Sequence, residues 1–258
     1  MRATIELKDL RKSFGNKQVL KGVNLQVQAG TTTVILGGSG SGKSVLMKHI
    51  IGLLRPDSGE VWVEGENVAA LSEREMARIR AKFGMVFQGA ALFDSMTVGE
   101  NVSFPLREHP FHRKNLRATT GQDLKESDIQ EIVQQKLALV GLEGVTDQFP
   151  SSLSGGMRKR VGLARAIVLD PRFLLYDEPT TGLDPITTSS VDDMIIAAKE
   201  KLGVTSVVIS HDVGSAFHIA DQVAMIHEGV IVEQGSPTEL RRSNHPYVQT
   251  FISTWFSR

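Results

Sequence analysis

The stretch GGSGSGKS, residues 37–44, constrains the fold of this 258-residue chain more than any other part of it. It fits the pattern G-x-x-x-x-G-K-[ST] at every specified position, and the β-branched run TTTVIL precedes it. Such a loop needs a strand before it and a helix after it, so that backbone N–H groups can turn inward around a phosphate. The pattern therefore predicts an α/β fold built around a phosphate site.

The residue types in this loop assign roles to their side chains. Lys43 is placed to reach the β- and γ-phosphate oxygens of a nucleotide, and the Ser44 hydroxyl is placed to ligate Mg²⁺. The remaining loop residues are expected to surround the phosphates with backbone groups: Gly37, Gly38, Ser39, Gly40, Ser41 and Gly42. The alternative, a glycine-rich turn that contains GKS by chance, is disfavoured by the strand and helix on either side.

A pair of carboxylates ends a second apolar run, FLLYDEP, at Asp177 and Glu178. One carboxylate there can hold the Mg²⁺ shell, and the other can polarise an attacking water, which is hydrolase chemistry. Two acidic residues after a strand are often only surface charges. The phosphate loop in the same chain favours the catalytic interpretation.

Two further polar residues follow apolar strands. His211 comes directly after TSVVIS and could contact a γ-phosphate from the carboxyl edge of the sheet, where open α/β sheets bind ligands. Gln88, expected to end the strand GMVFQ, could reach Mg²⁺ or the attacking water. Each is weak evidence alone, since a single histidine or glutamine is more often structural.

The composition excludes several other classes. The 29 basic and 29 acidic residues cancel, which argues against a sequence-independent nucleic-acid binder. The chain has no cysteine, so thiol catalysis and cysteine zinc sites are excluded. The start MRATIELKDL lacks the apolar core of a signal peptide, and no apolar run approaches the roughly 18 residues of a membrane span. We therefore expect any work at a membrane to depend on a partner.

Hydrophobic patterning predicts the organisation of the chain. Strands alternate with helices at both ends, short strands occupy the first 35 residues, and a helical, polar block lies between. This favours a mainly parallel core sheet, an antiparallel β subdomain near the N-terminus and an inserted helical subdomain. The polar stretch 109–128 is expected to be a loop or an insertion. We predict one domain, 1–258, divided into a core (1–88 and 158–240), a helical subdomain (89–157) and a C-terminal tail (241–258).

A second glycine motif, LSGGM at residues 153–157, raises the question of why one domain would need two anion sites. The order GGSGSGKS, Gln88, LSGGM, FLLYDEP, GLD at 182–184 and His211 resembles the ATP-binding subunit of ABC transporters over nearly the whole chain. In that family two subunits pair head to tail, and each LSGG motif completes the ATP site of the other. The resemblance implies ATP and Mg²⁺ as cofactors and a homodimer with two composite sites.

The resemblance also assigns residues. Ser154 and the N–H groups of Gly155 and Gly156 would bind the partner's γ-phosphate, Phe14 would stack on adenine, and Asp184 of GLD would join the nucleotide site. Glu178 would be the catalytic acid–base group, assisted by His211 and Gln88. The metal ligands would be Ser44, Gln88 and Asp177. The alternative for Phe14 is an ordinary core aromatic.

Three positions depart from the family pattern. Phe14 stands where tyrosine is usual but keeps an aromatic face, Gly38 stands where many members have proline, and Met157 replaces the usual glutamine. The changes at Gly38 and Met157 leave the backbone donors in place, so we expect activity to survive.

A basic helix is expected after the motif. The basic residues that follow, Arg158, Lys159, Arg160 and Arg165, are expected to form a solvated or dimer-facing surface and not a nucleic-acid site.

Local sequence narrows the class within the family. ALFDSMTV at 91–98 and the methionine in LSGGM are similar to ATPases of the Mla/Mce class, which move phospholipids or other hydrophobic molecules across the cell envelope. The resemblance implies an integral membrane permease, an MCE-domain lipid-binding protein, a STAS-domain regulator in some members, and a peripheral position on the cytoplasmic face of the inner membrane. The rival is a soluble ABC-type ATPase that assembles another complex. A P-loop nucleotide kinase is contradicted by LSGGM and by Glu178.

Two apolar segments leave alternatives open. The run Ala90, Ala91, Leu92 and Phe93 after Gln88 could be a docking patch for the permease or ordinary core. The tail aromatics, Tyr247, Phe251, Trp255 and Phe256, could pack on their own domain or on the neighbouring subunit.

Overall fold

The elements of the chain alternate as the hydrophobic pattern predicts. The computed structural model describes residues 3–108 and 125–257. The strands are β1 (Ala3–Phe14), β2 (Lys17–Gln28), β3 (Thr32–Leu36), β4 (Ser58–Val63), β5 (Glu66–Asn67), β6 (Phe83–Val86), β7 (Phe173–Asp177), β8 (Thr205–Ser210), β9 (Gln222–His227) and β10 (Val230–Gly235). The helices are α1 (Lys43–Ile50), α2 (Glu73–Arg80), α3 (Val98–Glu108), α4 (Glu126–Leu139), α5 (Gly155–Ala166), α6 (Pro185–Leu202), α7 (Val213–Ile219), α8 (Pro237–Arg241) and α9 (Pro246–Phe256).

The larger sheet has six strands in the order β10-β9-β3-β8-β7-β6. All neighbouring pairs from β9 to β6 are parallel, and only β10 runs antiparallel, against β9. β3 and β8 are buried along their whole length, which explains their continuous apolar sequence, because a central parallel strand is covered on both faces. Their carboxyl ends meet at one edge of the sheet, and the phosphate loop leaves β3 at that edge.

Alternate side chains of this sheet contribute to two separate cores. Val34, Tyr176 and Val208 pack on the side of helices α3 to α9. Ile35 and Leu175 pack on the other side, with α1, α2 and the smaller sheet. The α/β fold class with a mainly parallel core is therefore confirmed.

The smaller sheet is antiparallel, in the order β2-β1-β4-β5. The prediction of short strands near the N-terminus is wrong, since β1 and β2 have 12 residues each. Their pairing is interrupted by register shifts, which let long strands bend around the core and divide the alternating pattern into short sequence segments.

The helical region after β6 packs on α5, which α3 and α4 both contact. Of the polar stretch 109–128, residues 109–124 lie outside the described residues. Glu126 to Asp128 form the first turn of α4, so the loop expected there is wrong at its end. Acidic residues in a first turn interact favourably with the helix dipole, which makes a polar segment compatible with a helix start. The subdomain boundaries given above stay predictions.

The tail aromatics contact their own domain. The Tyr247 ring stacks on His227 at a centroid distance of 3.6 Å, while Val248 and Ile252 are buried. Phe256 remains 57 % exposed. No helix among residues 3–108 and 125–257 combines the length and the apolar character that crossing a membrane would need.

One close approach fixes the smaller sheet against the larger one, at Gly229 in the β9–β10 turn. Its carbonyl accepts a hydrogen bond from the Lys21 N–H (2.8 Å), and a Cβ at this position would lie 2.3 Å from the Val19 carbonyl oxygen. Gly65 has nearly the same φ (+84° against +83°), but a Cβ at Gly65 would meet no described atom within 4 Å beyond its chain neighbours.

Substitutions at Gly65 and Gly229 therefore form a matched test of the close contact between the two sheets. Gly65→Ala should lower the free energy of unfolding by about 1 kcal/mol, from backbone strain alone. Gly229→Ala should cost roughly 1–3 kcal/mol more, because the two strands must separate. Urea unfolding of both variants checks this. Equal losses would show that the contact between Gly229 and β2 does not hold the sheets together.

Candidate nucleotide site

The phosphate loop ends at a helix whose first turn is open to an anion. Gly42 is the N-cap of α1 with φ +108°, a left-handed conformation, and no side chain caps the helix. The first turn holds no acidic residue, and the buried Ser41 Oγ has no partner among the described residues. Helix N–H groups and an unsatisfied hydroxyl are the donors that a phosphate needs, so the loop fits the predicted ligand.

Lys43 lies inside this loop with only 7 % of its side chain exposed. Its Nζ donates to the carbonyl oxygens of Gly37 (2.8 Å) and Gly38 (3.1 Å). The same Nζ lies 3.4 Å from Glu178 Oε1. The ammonium group is thus paired with protein oxygens in the position where phosphate oxygens are expected.

Glu178 connects three strand ends. It follows β7 with φ +48°, and its N–H donates to the Ile209 carbonyl of β8 (3.0 Å). Its Oε2 accepts from His211 Nδ1 (2.7 Å) and from Thr181 Oγ1 (3.0 Å). The structure therefore brings together Lys43, Glu178 and His211, which lie far apart in the sequence. The sequence analysis did not predict the hydrogen bond from Thr181 to Glu178, although Thr181 lies only three residues after Glu178 in the EPTTG segment.

Asp177 is the second carboxylate of the pair. Burial, and next the neighbouring charge of Glu178, raise the pKa of the Asp177 carboxyl above its usual value. A carboxylate held in such surroundings gains from a cation, and carboxylate and hydroxyl oxygens suit Mg²⁺. Asp177 and Ser44 fit the predicted magnesium ligands. Gln88 is exposed and lies two residues beyond the end of β6, not at the strand end as expected.

The LSGGM motif lies at the start of α5, which Ser154 caps by accepting the Met157 N–H (3.2 Å). Ser154 and Gly155 are exposed. Apart from chain neighbours and the helix's own backbone, a Cβ at Gly155 would have only Arg158 within 4 Å among the described residues, and one at Gly156 only Thr187. The motif is therefore exposed and does not touch the phosphate loop of its own chain at these positions.

Asp184 and Phe14 complete the predicted set. Asp184 caps α6, accepting the N–H groups of Ile186 and Thr187 at 3.0 Å each. Phe14, at the end of β1, is 47 % exposed, with Lys12 Nζ 5.7 Å from its ring centroid. The core alternative for Phe14 is therefore wrong, and its contact with adenine stays a prediction.

The expectation of a solvated or dimer-facing surface is wrong for Lys159 and Arg165 of α5, which bind their own chain, whereas Arg158 is exposed as expected. Lys159 is buried and donates to the Pro179 carbonyl, next to Glu178, and burial lowers the pKa of its ammonium group. Arg165 donates to the carbonyls of Ala90 and Ala91, at 2.7 Å each. Both side chains donate hydrogen bonds to loop carbonyls that take no part in the hydrogen bonds of a helix or a strand. The closely spaced apolar residues in VGLARAI could have predicted that α5 is buried, and with it the burial of its basic side chains.

The family model for ABC transporters matches residues 20–181, more than half of the chain. The chain belongs to the ABC transporter family. It is 42% identical over 253 residues to the "Probable ribonucleotide transport ATP-binding protein mkl" of Mycobacterium leprae, covering 98% of this chain and 70% of that protein. It is 40% identical over 248 residues to the "Intermembrane phospholipid transport system ATP-binding protein MlaF" of Haemophilus influenzae, covering 96% and 89%.

A solved structure shows the same fold in a dimer. It is an ATP-binding cassette in a post-hydrolysis state with ADP and Pi, 30% identical, with a TM-score of 0.77 over 90% of this chain and 98% of the other. The chain is therefore an ATP-binding, ATP-hydrolysing subunit of a transporter. The rival of a soluble assembly ATPase is not favoured.

Substitutions of Glu178 and Lys43 should separate ATP hydrolysis from ATP binding. Glu178→Gln keeps the shape of the side chain but removes the proton acceptor, so kcat should fall about 100-fold or more while ATP still binds. Lys43→Ala should lose tight ATP binding, because the charge opposite the phosphates is gone. Steady-state ATPase assays and nucleotide titrations measure both.

Glu228→Gln is the matched control, since Glu228 also follows a strand with positive φ (+46°) but is 74 % exposed. Its turnover should equal that of the unchanged protein. Normal turnover of Glu178→Gln would refute the role given to Glu178.

Proposed function

We propose that this chain powers the movement of phospholipid or another hydrophobic substrate between membranes of the cell envelope. The observation that carries the proposal is the similarity to the H. influenzae phospholipid transport protein over 96% of the chain, together with LSGGM and ALFDSMTV. The M. leprae relative is named for ribonucleotide transport, so the substrate depends on direct measurement.

The working unit in this proposal is a homodimer bound to an integral membrane permease on the cytoplasmic face of the inner membrane. An MCE-domain lipid-binding protein and a STAS-domain regulator are further proposed partners, and no nucleic acid is involved. The exposed motif at Ser154 supports head-to-tail pairing, because its donors are unused by the chain's own phosphate loop.

The contacts of Lys43 suggest how binding starts hydrolysis. Phosphate oxygens of ATP would replace Glu178 beside the Lys43 ammonium group. Glu178 would then be free to accept a proton from the attacking water, while His211 and Thr181 keep its carboxylate in place. Ser44, Asp177 and Gln88 would hold Mg²⁺, which would neutralise charge on the phosphates when bound.

We further propose that the permease docks on the segment 87–93, which we call the coupling patch. Within it Phe87 is 39 % exposed, Phe93 is 42 % exposed, and Ala91 is exposed. Within the run 90–93, Ala90 is buried and Leu92 is half-buried against the core, whereas Ala91 and Phe93 are exposed. The core alternative therefore holds for two of the four residues and fails for the other two. Exposed apolar side chains beside Gln88 are suited to a partner that responds to the nucleotide site.

The coupling patch has a left-handed backbone conformation at two alanines, and side chains from α5 and α3 hold it in place. Ala90 and Ala91 have φ values of +61° and +47°, which alanine rarely adopts. Arg165 of α5 binds both carbonyls, and the fully buried Asn101 of α3 binds the N–H and carbonyl of Phe93 (2.8 and 3.0 Å). A shift of α5 relative to α3 would therefore change the patch, which supports a coupling role.

Ala91→Glu tests the patch better than Leu92→Glu, because Leu92 is half-buried and a charge there would also disturb packing. The variant should bind ATP and melt like the unchanged protein, yet fail to co-purify with its permease and fail to support lipid transfer in reconstituted vesicles. The cause is a carboxylate placed in an apolar contact.

Ala70→Glu, also an exposed alanine but outside the patch, is the control and should leave both properties unchanged. Normal co-purification and lipid transfer by Ala91→Glu would show that the coupling patch is misplaced. Purification of the unchanged chain without any integral membrane protein would instead count against the transport proposal as a whole.

A further inference from the structure

A cavity of about 270 Å³ lies where α4, α5 and α6 meet. Its lining is mainly apolar and includes Leu139 of α4, Leu163 of α5, and Met194 and Ala197 of α6. None of the residues assigned to ATP or Mg²⁺ lines it. The cavity is therefore separate from the nucleotide site, although it is bounded by the helix that carries the LSGGM motif.

Two cationic side chains, Arg160 and Lys201, line the same cavity. Arg160 is half-buried and donates to Ser190 Oγ (3.0 Å), and neither Arg160 nor Lys201 forms an ion pair with any described residue. Asp193 also lines the cavity, so the charged groups of the described lining are two cations and one carboxylate. The cavity thus combines an apolar interior with an excess of positive charge.

These properties define the chemistry of an occupant. The cavity is partly open to solvent, and a volume of about 270 Å³ is large enough for a short chain that displaces water from the apolar lining. An apolar chain would fill the interior, and an anionic head would pair with Arg160 and Lys201. Ligand sites generally have this form, with an apolar lining and a few convergent polar groups.

We propose that this cavity binds an anionic amphiphile, of the class of a medium-chain carboxylate. The occupant would contact α5, which begins beside Ser154, and α6, which begins beside Asp184. Both helix starts belong to the predicted dimer-facing side of the ATP site. Occupancy would fix the two helices relative to each other and so change ATPase turnover. Binding itself does not depend on the lipid-transport proposal.

Three probes with the same ten-carbon chain and different heads test the chemistry: decanoate, decanol and decyltrimethylammonium. Calorimetry on the purified chain, below the micelle concentration of each probe, should show one decanoate site per chain. Decanol should bind about tenfold more weakly, since it loses a charge-assisted contact. The cation should bind more weakly still.

Variants locate the site. Ala197→Trp fills the interior and should abolish decanoate binding, and it should also abolish the effect of decanoate on ATPase turnover. Lys201→Glu, an exposed change that should fold normally, should weaken decanoate binding about tenfold or more. Lys199→Glu is the control on the same helix, because Lys199 pairs with Asp221 and does not line the cavity.

Absence of decanoate binding to the unchanged chain would overturn the proposal. So would equal binding by the unchanged chain, Ala197→Trp and Lys201→Glu. If decanoate does not bind and Ala197→Trp instead loses a co-purifying protein, the cavity receives a side chain of that protein, and the proposal is wrong.

Discussion

The position of Glu178 between Lys43 and His211 is the interaction on which the rest of the site depends. β3, β7 and β8 are neighbours in one parallel sheet, so their carboxyl ends deliver the phosphate loop, the carboxylate pair and the histidine to one edge. A buried pair of this kind adds little net stability, because desolvation offsets attraction. In the proposed mechanism, its role is to hold Glu178, the proposed base, beside the place where the phosphates of ATP would lie.

Helix α5 connects the LSGGM motif at its own N-terminus with the region around Glu178 and with the coupling patch. Its N-terminus presents the LSGGM motif to the outside, while Lys159 binds the carbonyl next to Glu178 and Arg165 binds the coupling patch. If the motif serves a partner's ATP, this single helix touches both nucleotide sites and the patch proposed for the permease. Rigid helices with several fixed contacts are suited to carry such coupling.

Local sequence was sufficient for the phosphate loop, the carboxylate pair and the strand–helix alternation, because each depends on neighbours in the chain. It placed Glu178 and His211 in one site only through the rule that parallel strands end together. It failed for Lys159 and Arg165, whose partners lie 20 and about 75 residues away. The positive φ values of Ala90 and Ala91 also gave no sequence signal, since alanine does not mark a left-handed turn. The cavity between α4, α5 and α6 depends on how helices pack, which no short motif encodes.

The central claim is that each ATP site is completed by Ser154 of a second copy. ATPase turnover of a mixed dimer of Ser154→Arg and Lys43→Ala chains tests it most directly. Each pure variant should be inactive, and the mixture should regain activity, because the two unmutated halves form one whole site. No recovery in verified mixed dimers, or normal turnover of Ser154→Arg alone, would contradict the claim.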